Sequence, residues 1–245
     1  MSTVLELLKS HRSIRKFTDQ KIESELLNDL VLAGQAAATS SFLQGSTIIR
    51  ITDSATRSAI AKLAGNQGYV ESAAEFLMFC ADLKRAGNYC EAYDKPFEGD
   101  FTEHFIIATV DVSLMAQSLV TAAESVGLGI CYIGGIRNDP AEVSRLLKLP
   151  RGVYPVFGLS LGYPDQDPEI KPRLPVPVVM KQEIYNEEGD KEAIESYDEE
   201  IREYYKTRTG GGHGISWSEQ VAGLLSDKAR PHMRKFLEEQ GFKFR

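Results

Sequence analysis

Four short stretches of this 245-residue chain carry side chains suited to chemistry. The first is His11-Arg12-Ser13-Ile14-Arg15, set between Lys9 and Lys16 with no acid before Asp19. Guanidinium forks and a serine hydroxyl are the donors that a phosphate monoester needs. The second is Lys171-Pro172-Arg173. In an extended chain, residues two apart point the same way, so both cations can converge on one anion. The third is Tyr132-Ile133-Gly134-Gly135, where adjacent glycines let the backbone approach something flat or bulky. The fourth is Thr39-Ser40-Ser41, small hydroxyls after a helix. Taken singly, the two basic stretches read more readily as a solvated basic turn and an exposed basic pair, and the others as a tight turn and a helix end.

Other chemistries find no support. Gly127-Leu-Gly-Ile-Cys-Tyr132 imitates a dinucleotide fingerprint, but Tyr132 stands in place of its third glycine. Its first glycine also follows a helix rather than a strand. No P-loop, HExxH or GxSxG occurs, and four scattered histidines make no metal site. Cys80, Cys90 and Cys131 are odd in number and form no CxxC, which suits free thiols in a reducing compartment.

The positioning elements follow from periodicity. Val4, Leu5, Leu7 and Leu8 give a short apolar face before His11, and Leu26, Leu27, Leu30 and Val31 stripe a second helix. Asp139-Pro140 is an N-cap followed by an N1 proline. Ser216 onward and Ala229 to Gln240 also suit helices. Phe105 to Val126 is apolar all round and predicts a helix buried in a core or between two subunits, stopped by Gly127. Strands are expected at Thr47–Ile51, Phe76–Ala81, Gly129–Ile133 and Val153–Gly162, without regular alternation with helices, which points to α+β. Five prolines between 164 and 186 suggest an ordered extended connector, and Gly210–Gly212 a break in the helical C-terminal part.

Composition narrows the partners. Nine acids against two bases between Glu187 and Glu203 account for the whole net charge of −7, as a solvated helix face would. An acidic chain is a poor binder of phosphate backbones, so no nucleic-acid partner is expected. The first sixteen residues lack a signal-peptide core. Only twelve uncharged residues separate Asp111 from Glu124, too few to span a bilayer. The expectation is a soluble cytoplasmic protein with no membrane partner.

The segments HRSIRKFTD from His11, TSSFLQ from Thr39, AGNQGYV around Gln67, AESVGLGICYIGGIRND and KPRLP occur in that order, with YYKTR and SWSEQ behind them. Together they resemble the oxygen-insensitive NADPH nitroreductase and flavin reductase group of the nitroreductase superfamily, from about His11 to Trp217. The resemblance implies an α+β nitroreductase-like fold, with a central mixed or antiparallel sheet flanked by helices, in an intertwined homodimer. It implies FMN held noncovalently at the subunit interface, one per subunit. FMN contacts carry over onto His11, Arg12, Ser13 and Arg15, onto Thr39, Ser40 and Ser41, and onto Gln67. They continue on Tyr132, Ile133, Gly134 and Gly135, and on Lys171 and Arg173. Thr39 stands where many relatives have serine. A cation near the ring, Arg15 or Lys171, would stabilise negative charge there.

The implied activity is hydride transfer from NADPH or NADH through FMN to nitroaromatics, quinones, azo compounds or free flavin by a ping-pong route, with no metal and no strictly catalytic side chain. A flavin-storing or redox-sensing protein with little turnover would need the same motifs, but Arg208, in the family's nicotinamide-nucleotide position, favours the enzyme. Residues 1–186 are expected to form an FMN-binding core, with 187–245 a helical portion packed on it in one structural domain.

Nucleotide choice follows from the same resemblance. Relatives commonly place further bases after the counterpart of Arg208, whereas here Thr209-Gly-Gly-Gly-His213-Gly214 follows. Each missing cation removes on the order of 1 kcal/mol of discrimination for a 2′-phosphate. Comparison of kcat/KM should therefore show a weak NADPH preference with NADH still usable. Arg208→Ala should erase most of that preference, and His213 should strengthen it slightly below about pH 6.5. A preference above about 100-fold, or one insensitive to Arg208, is the contrary result.

Overall fold

The computed structural model describes residues 3–99, 101–208, 214–227 and 229–245. The chain divides into two compact units: residues up to Asp167 together with His232–Arg245, and Pro168–Pro231. In chain order the first unit contains α1 (Val4–Lys9), α2 (Ser24–Gln35), β1 (Ser46–Arg50), α3 (Ser54–Leu63), α4 (Tyr69–Ser72), β2 (Glu75–Asp82) and α5 (Lys84–Ala92). It continues with α6 (Thr102–Ser125), β3 (Gly129–Ile133), α7 (Pro140–Leu146) and β4 (Val153–Gly162). The second unit holds α8 (Val176–Val179), α9 (Asp190–Thr207) and α10 (Trp217–Ser226), and α11 (Met233–Glu239) returns to the first.

The four strands form one open sheet in the order β1-β2-β4-β3, every neighbouring pair antiparallel. All four lie where the sequence places them, to within a residue or so. Strand β2 shows why they are buried. Its alternate side chains go to opposite faces: Leu77, Phe79 and Ala81 join the core under α6, while Phe76, Met78 and Cys80 join a second core with Ile60, Val70 and Ile133. A strand buried on both faces reads as a continuous apolar run rather than an alternation.

Helix α6 spans the first core. Ala108, Val112, Ala116, Leu119 and Val120 are fully buried in it. Small residues bring helices close: a Cβ on Gly34 of α2 would lie 3.1 Å from the Met115 carbonyl oxygen and 3.2 Å from the Leu119 Cβ. Ile106, Val110 and Leu114, at four-residue spacing on another side of α6, are 48%, 48% and 44% exposed within the single chain. Of the two burials the sequence allows, the core alone therefore covers only part of this helix. With 24 residues, α6 is long and apolar enough to cross a membrane, longer than the uncharged stretch inside it suggests. Here its apolar side packs on the sheet and α2.

Local signals act as read. Asp139 accepts the Glu142 N–H at 3.0 Å ahead of Pro140, and Gly127 takes φ +82° beyond the end of α6. The acidic α9 is largely exposed, with only Tyr197 and Ile201 buried. Arg57 of α3 staples the segment before β2 by donating to the carbonyls of Ile51 (2.8 Å), Ala73 (2.7 Å) and Ala74 (3.3 Å). All three cysteines are free thiols.

Between sheet and α6, the Thr109 hydroxyl donates to the Phe105 carbonyl at 2.7 Å and therefore accepts from Tyr154 at 2.6 Å. Burial pushes the Tyr154 phenol up to about 12 from 10.0. The folded chain keeps this proton while the unfolded chain loses it above about pH 10, so stability is full below that pH and falls through the window to about 12. Denaturation at a series of pH values should show Tyr154→Phe losing about 1 kcal/mol at neutral pH. Its alkaline slope should be shallower by up to about 1.4 kcal/mol per pH unit.

Candidate active site

The basic segment leaves α1 and runs along the edge of the sheet. Ile14 donates its N–H to the Ile130 carbonyl at 2.8 Å, Thr18 to Tyr163 at 2.9 Å, and Asp165 to Lys16 at 2.9 Å. Ile14 is buried against Gly129, where a Cβ would come within 2.6 Å of its side chain. This pins the backbone from which Ser13 and Arg15 project. His11 Nδ1 lies 2.6 Å from Glu124 Oε1 at the end of α6, so the pair fixes the ring and leaves Nε2 for another partner. Arg12 donates to the Ser10 carbonyl at 3.1 Å and pairs with Asp167. Its Nε is buried and has no partner. Buried donors are nearly always satisfied, so an orphaned guanidinium N–H in a recess marks a place for an acceptor. The recess, about 230 Å³, is lined by His11, Arg12, Glu124, Gly127, Gly129 and Gln166 among others.

A second cluster gathers around the glycine turn. Arg15 lies over the Tyr69 ring at 6.0 Å. Burial pushes the Cys131 thiol up against the opposing pull of the Arg15 charge. Gly135 sits so tightly on the turn after α3 that a Cβ there would be 2.4 Å from the Ala64 carbonyl oxygen. Gln67 follows in the same turn, its N–H donating to Ala61 at 3.2 Å. Arg15, Gln67 and Tyr132–Gly135 thus share one neighbourhood. Tyr132 packs edge-on against Phe157 at 5.0 Å, and burial pushes its phenol up to about 12, so it stays a neutral donor.

The hydroxyl stretch is held by a residue that sequence reasoning passed over. Asp111 of α6 is 1% exposed. One of its oxygens accepts the Ser40 N–H at 3.1 Å, and the other accepts Gly45 N–H at 3.2 Å. Between these two anchors Ser41, Phe42 and Gln44 take φ of 50°, 56° and 52°, a region costly for side-chain-bearing residues. The carboxylate thus over-determines a strained loop that carries Thr39, Ser40 and Ser41. The Thr39 Oγ1 is buried with no partner. Asp111 and Glu124 read in the sequence as breaks in an apolar run; an acid inside a helix apolar all round was the available signal, and it names no partner.

The carboxylates that anchor the basic segment and the hydroxyl loop are thirteen residues apart on α6, about 20 Å along its axis. Lys171, Arg173 and Arg208 belong to the second unit. There Lys171 Nζ donates to the Tyr205 hydroxyl at 2.7 Å, and the Arg208 guanidinium lies 5.6 Å from the centre of the same ring. Arg173 acts electrostatically on the Tyr197 phenol, whose hydroxyl donates to the Pro172 carbonyl at 3.0 Å. Residues 209–213, which carry the expected break and His213, lie outside the described residues. Among the described residues no cluster of His, Cys, Asp and Glu could hold a metal.

Comparison with known proteins places this geometry. The Nitroreductase family profile matches residues 8–163, and the profile of the family's C-terminal domain matches 171–245. The chain belongs to the nitroreductase family. It is 45% identical to the NADPH-flavin oxidoreductase of Vibrio harveyi, over 98% of both chains. It is 42% identical to the oxygen-insensitive NADPH nitroreductase of Salmonella typhimurium, over 99% of both. The solved NADPH:FMN oxidoreductase of Vibrio harveyi, complexed with NAD+, superimposes with a TM-score of 0.91 at 44% identity, covering 99% of each chain.

The Asp111 anchor is testable in solution. A bond to a charged acceptor is worth about 1.5–3 kcal/mol. Amide hydrogen exchange in Asp111→Ala should therefore quicken at least about tenfold at Ser40 and Gly45 while β3 stays protected. Uniform acceleration across the sheet would assign Asp111 to global stability instead.

Proposed function

We propose that this nitroreductase-family chain is an NAD(P)H-dependent flavin and nitro reductase that holds FMN noncovalently, one per subunit, in a cytoplasmic homodimer. The observation that carries it is the pairing of a pinned cationic segment, whose buried Arg12 Nε lacks an acceptor, with a glycine turn packed on the turn that bears Gln67. These donors fit FMN: cations for its phosphate, hydroxyls for its ribityl chain and backbone groups of the turn for its ring. When bound, FMN supplies a two-electron carrier between nicotinamide and acceptor.

The chain's own residues bind and orient. Arg12 and Arg173 hold the phosphate, with His11 and Ser13 as further donors beside them. Thr39, Ser40, Ser41 and Gln67 offer hydrogen bonds to the ribityl chain. Ile133, Gly134 and Gly135 offer backbone, and Tyr132 with its neutral phenol closes the side of the turn. Arg15 or Lys171 places positive charge by the ring, and Arg208 receives the nicotinamide nucleotide. No side chain needs to move a proton for hydride transfer. Donor and acceptor take the same seat in turn, which gives ping-pong kinetics with nitroaromatics, quinones or free flavin as acceptors.

The spacing of the Asp111 and Glu124 anchors, about 20 Å along α6, and the exposed Ile106, Val110 and Leu114 stripe together support the dimer. A second copy covering α6 would bury the stripe and bring its own hydroxyl loop to this chain's cations.

Two measurements test the reading. Anaerobic NADPH should bleach the yellow protein near about 450 nm, and a quinone should restore the colour. A coloured protein that never bleaches would be a flavin store. Calorimetric titration of the apoprotein should show Arg12→Ala and Arg173→Ala each weakening FMN about 10- to 100-fold. Unchanged affinity in both would remove the phosphate assignment.

A further inference from the structure

A recess at the opposite end of β4 from the His11–Arg12 recess has a different character. It measures about 520 Å³ and is bounded by α5, the segment behind it, the turn before β4 and the C-terminal tail. Four cations line it, Lys84, Lys95, Arg151 and Lys243, against the single carboxylate of Glu91. In a chain of net charge −7, such a local excess of positive charge is a departure from the surface average. Gly152, at this recess, directly precedes β4, whereas Gly129 of the His11–Arg12 recess pairs with Gly162 at the other end of that strand. The ten residues of β4 therefore separate the two recesses by roughly 30 Å.

The walls are built rather than incidental. Leu83 donates its N–H to the Gly152 carbonyl at 2.9 Å, and Gly152 donates to the Gln240 carbonyl at 2.7 Å. The Gln240 side chain returns to the Pro150 carbonyl at 2.8 Å. Arg151 donates to the Glu239 carbonyl at 2.6 Å, which holds its guanidinium at the rim. These bonds clamp the start of α5, the turn and the tail to one another. Gly241 closes the floor at φ +109°, where a Cβ would press to 3.3 Å from the Gly152 nitrogen. Helix α5 begins at Lys84, so its positive dipole end adds to the field. The Phe97 ring, 45% exposed, lies along Gly87 and gives the recess one apolar wall.

We propose that this recess is a second ligand site, specific for a phosphorylated small molecule whose organic part lies against Phe97. The volume is in the range of small-molecule pockets. Gathered cations repel one another until an anion joins them, and the fixed Arg151 fork suits phosphate geometry. The ammonium groups of Lys84 and Lys95 have no ion-pair partner among the described residues, so they can turn to a ligand without breaking a native contact. This site stands apart from the flavin reading and does not require it.

Phenyl phosphate is a suitable probe, combining a dianion with one apolar ring. Calorimetric titration of the FMN-saturated protein at constant ionic strength should show one saturable event per chain. Lys84→Gln combined with Lys95→Gln should weaken it at least tenfold and leave FMN affinity and NADPH oxidation as in the parent. Both side chains are exposed and unpaired, so the variant should fold normally; an unchanged melting temperature checks this. Heat that never saturates, equal affinity in the double variant, or loss of binding in Arg12→Ala instead would each overturn the proposal.

Discussion

The structure turns on one constraint, the burial of a 24-residue helix that is apolar nearly all round. A single chain of this size offers one sheet face and one neighbouring helix against which α6 can pack. Ala108, Ala116, Leu119 and Val120 use that room completely, and the Gly34 approach of α2 fills the flank. The remaining stripe, Ile106, Val110 and Leu114, is left exposed in the single chain.

Besides the exposed Glu103, the same helix carries two carboxylates, Asp111 and Glu124, and neither is spent on stability alone. A buried acid is tolerated only where hydrogen bonds compensate its lost hydration. Asp111 meets this with two backbone N–H groups of a strained loop, whereas Glu124 has the His11 ring on Oε1 and no partner on its buried Oε2. Each compensation fixes a segment that bears candidate site residues. The rigid element therefore positions side chains it does not itself supply, and the loops inherit its precision. Arg57 does comparable work on the far side of the sheet, where its bonds to the Glu71, Ala73 and Ala74 carbonyls tie the stretch between Gln67 and β2 to the Ile51 carbonyl after β1.

Tyrosines of α9 organise the second unit in a related way. Lys171 and Arg208, far apart in the chain, meet on the Tyr205 ring, and Arg173 lies near Tyr197 two turns earlier. Aromatic faces hold cations without neutralising them, so these side chains are oriented while their charge stays available for an anion. A carboxylate in the same places would have fixed them equally well and cancelled the charge.

Local physics made much of this legible in advance. Strand positions, the Asp139 cap and the Gly127 stop depend on a few neighbouring residues, and the sequence alone determined them. The ordered motifs around Arg15, Gln67 and Gly134–Gly135 also named residues that the fold brings into one neighbourhood. What only the tertiary structure decided was pairing across distance. Asp111 is a lone acid in an apolar run until the folded chain sets the Ser40 and Gly45 amides opposite it. Lys84, Lys95, Arg151 and Lys243 are four scattered bases until the antiparallel sheet closes and the tail returns to the turn before β4. Such contacts depend on where distant segments come to rest, and no local preference encodes that: the free energy that selects them belongs to the packed core as a whole.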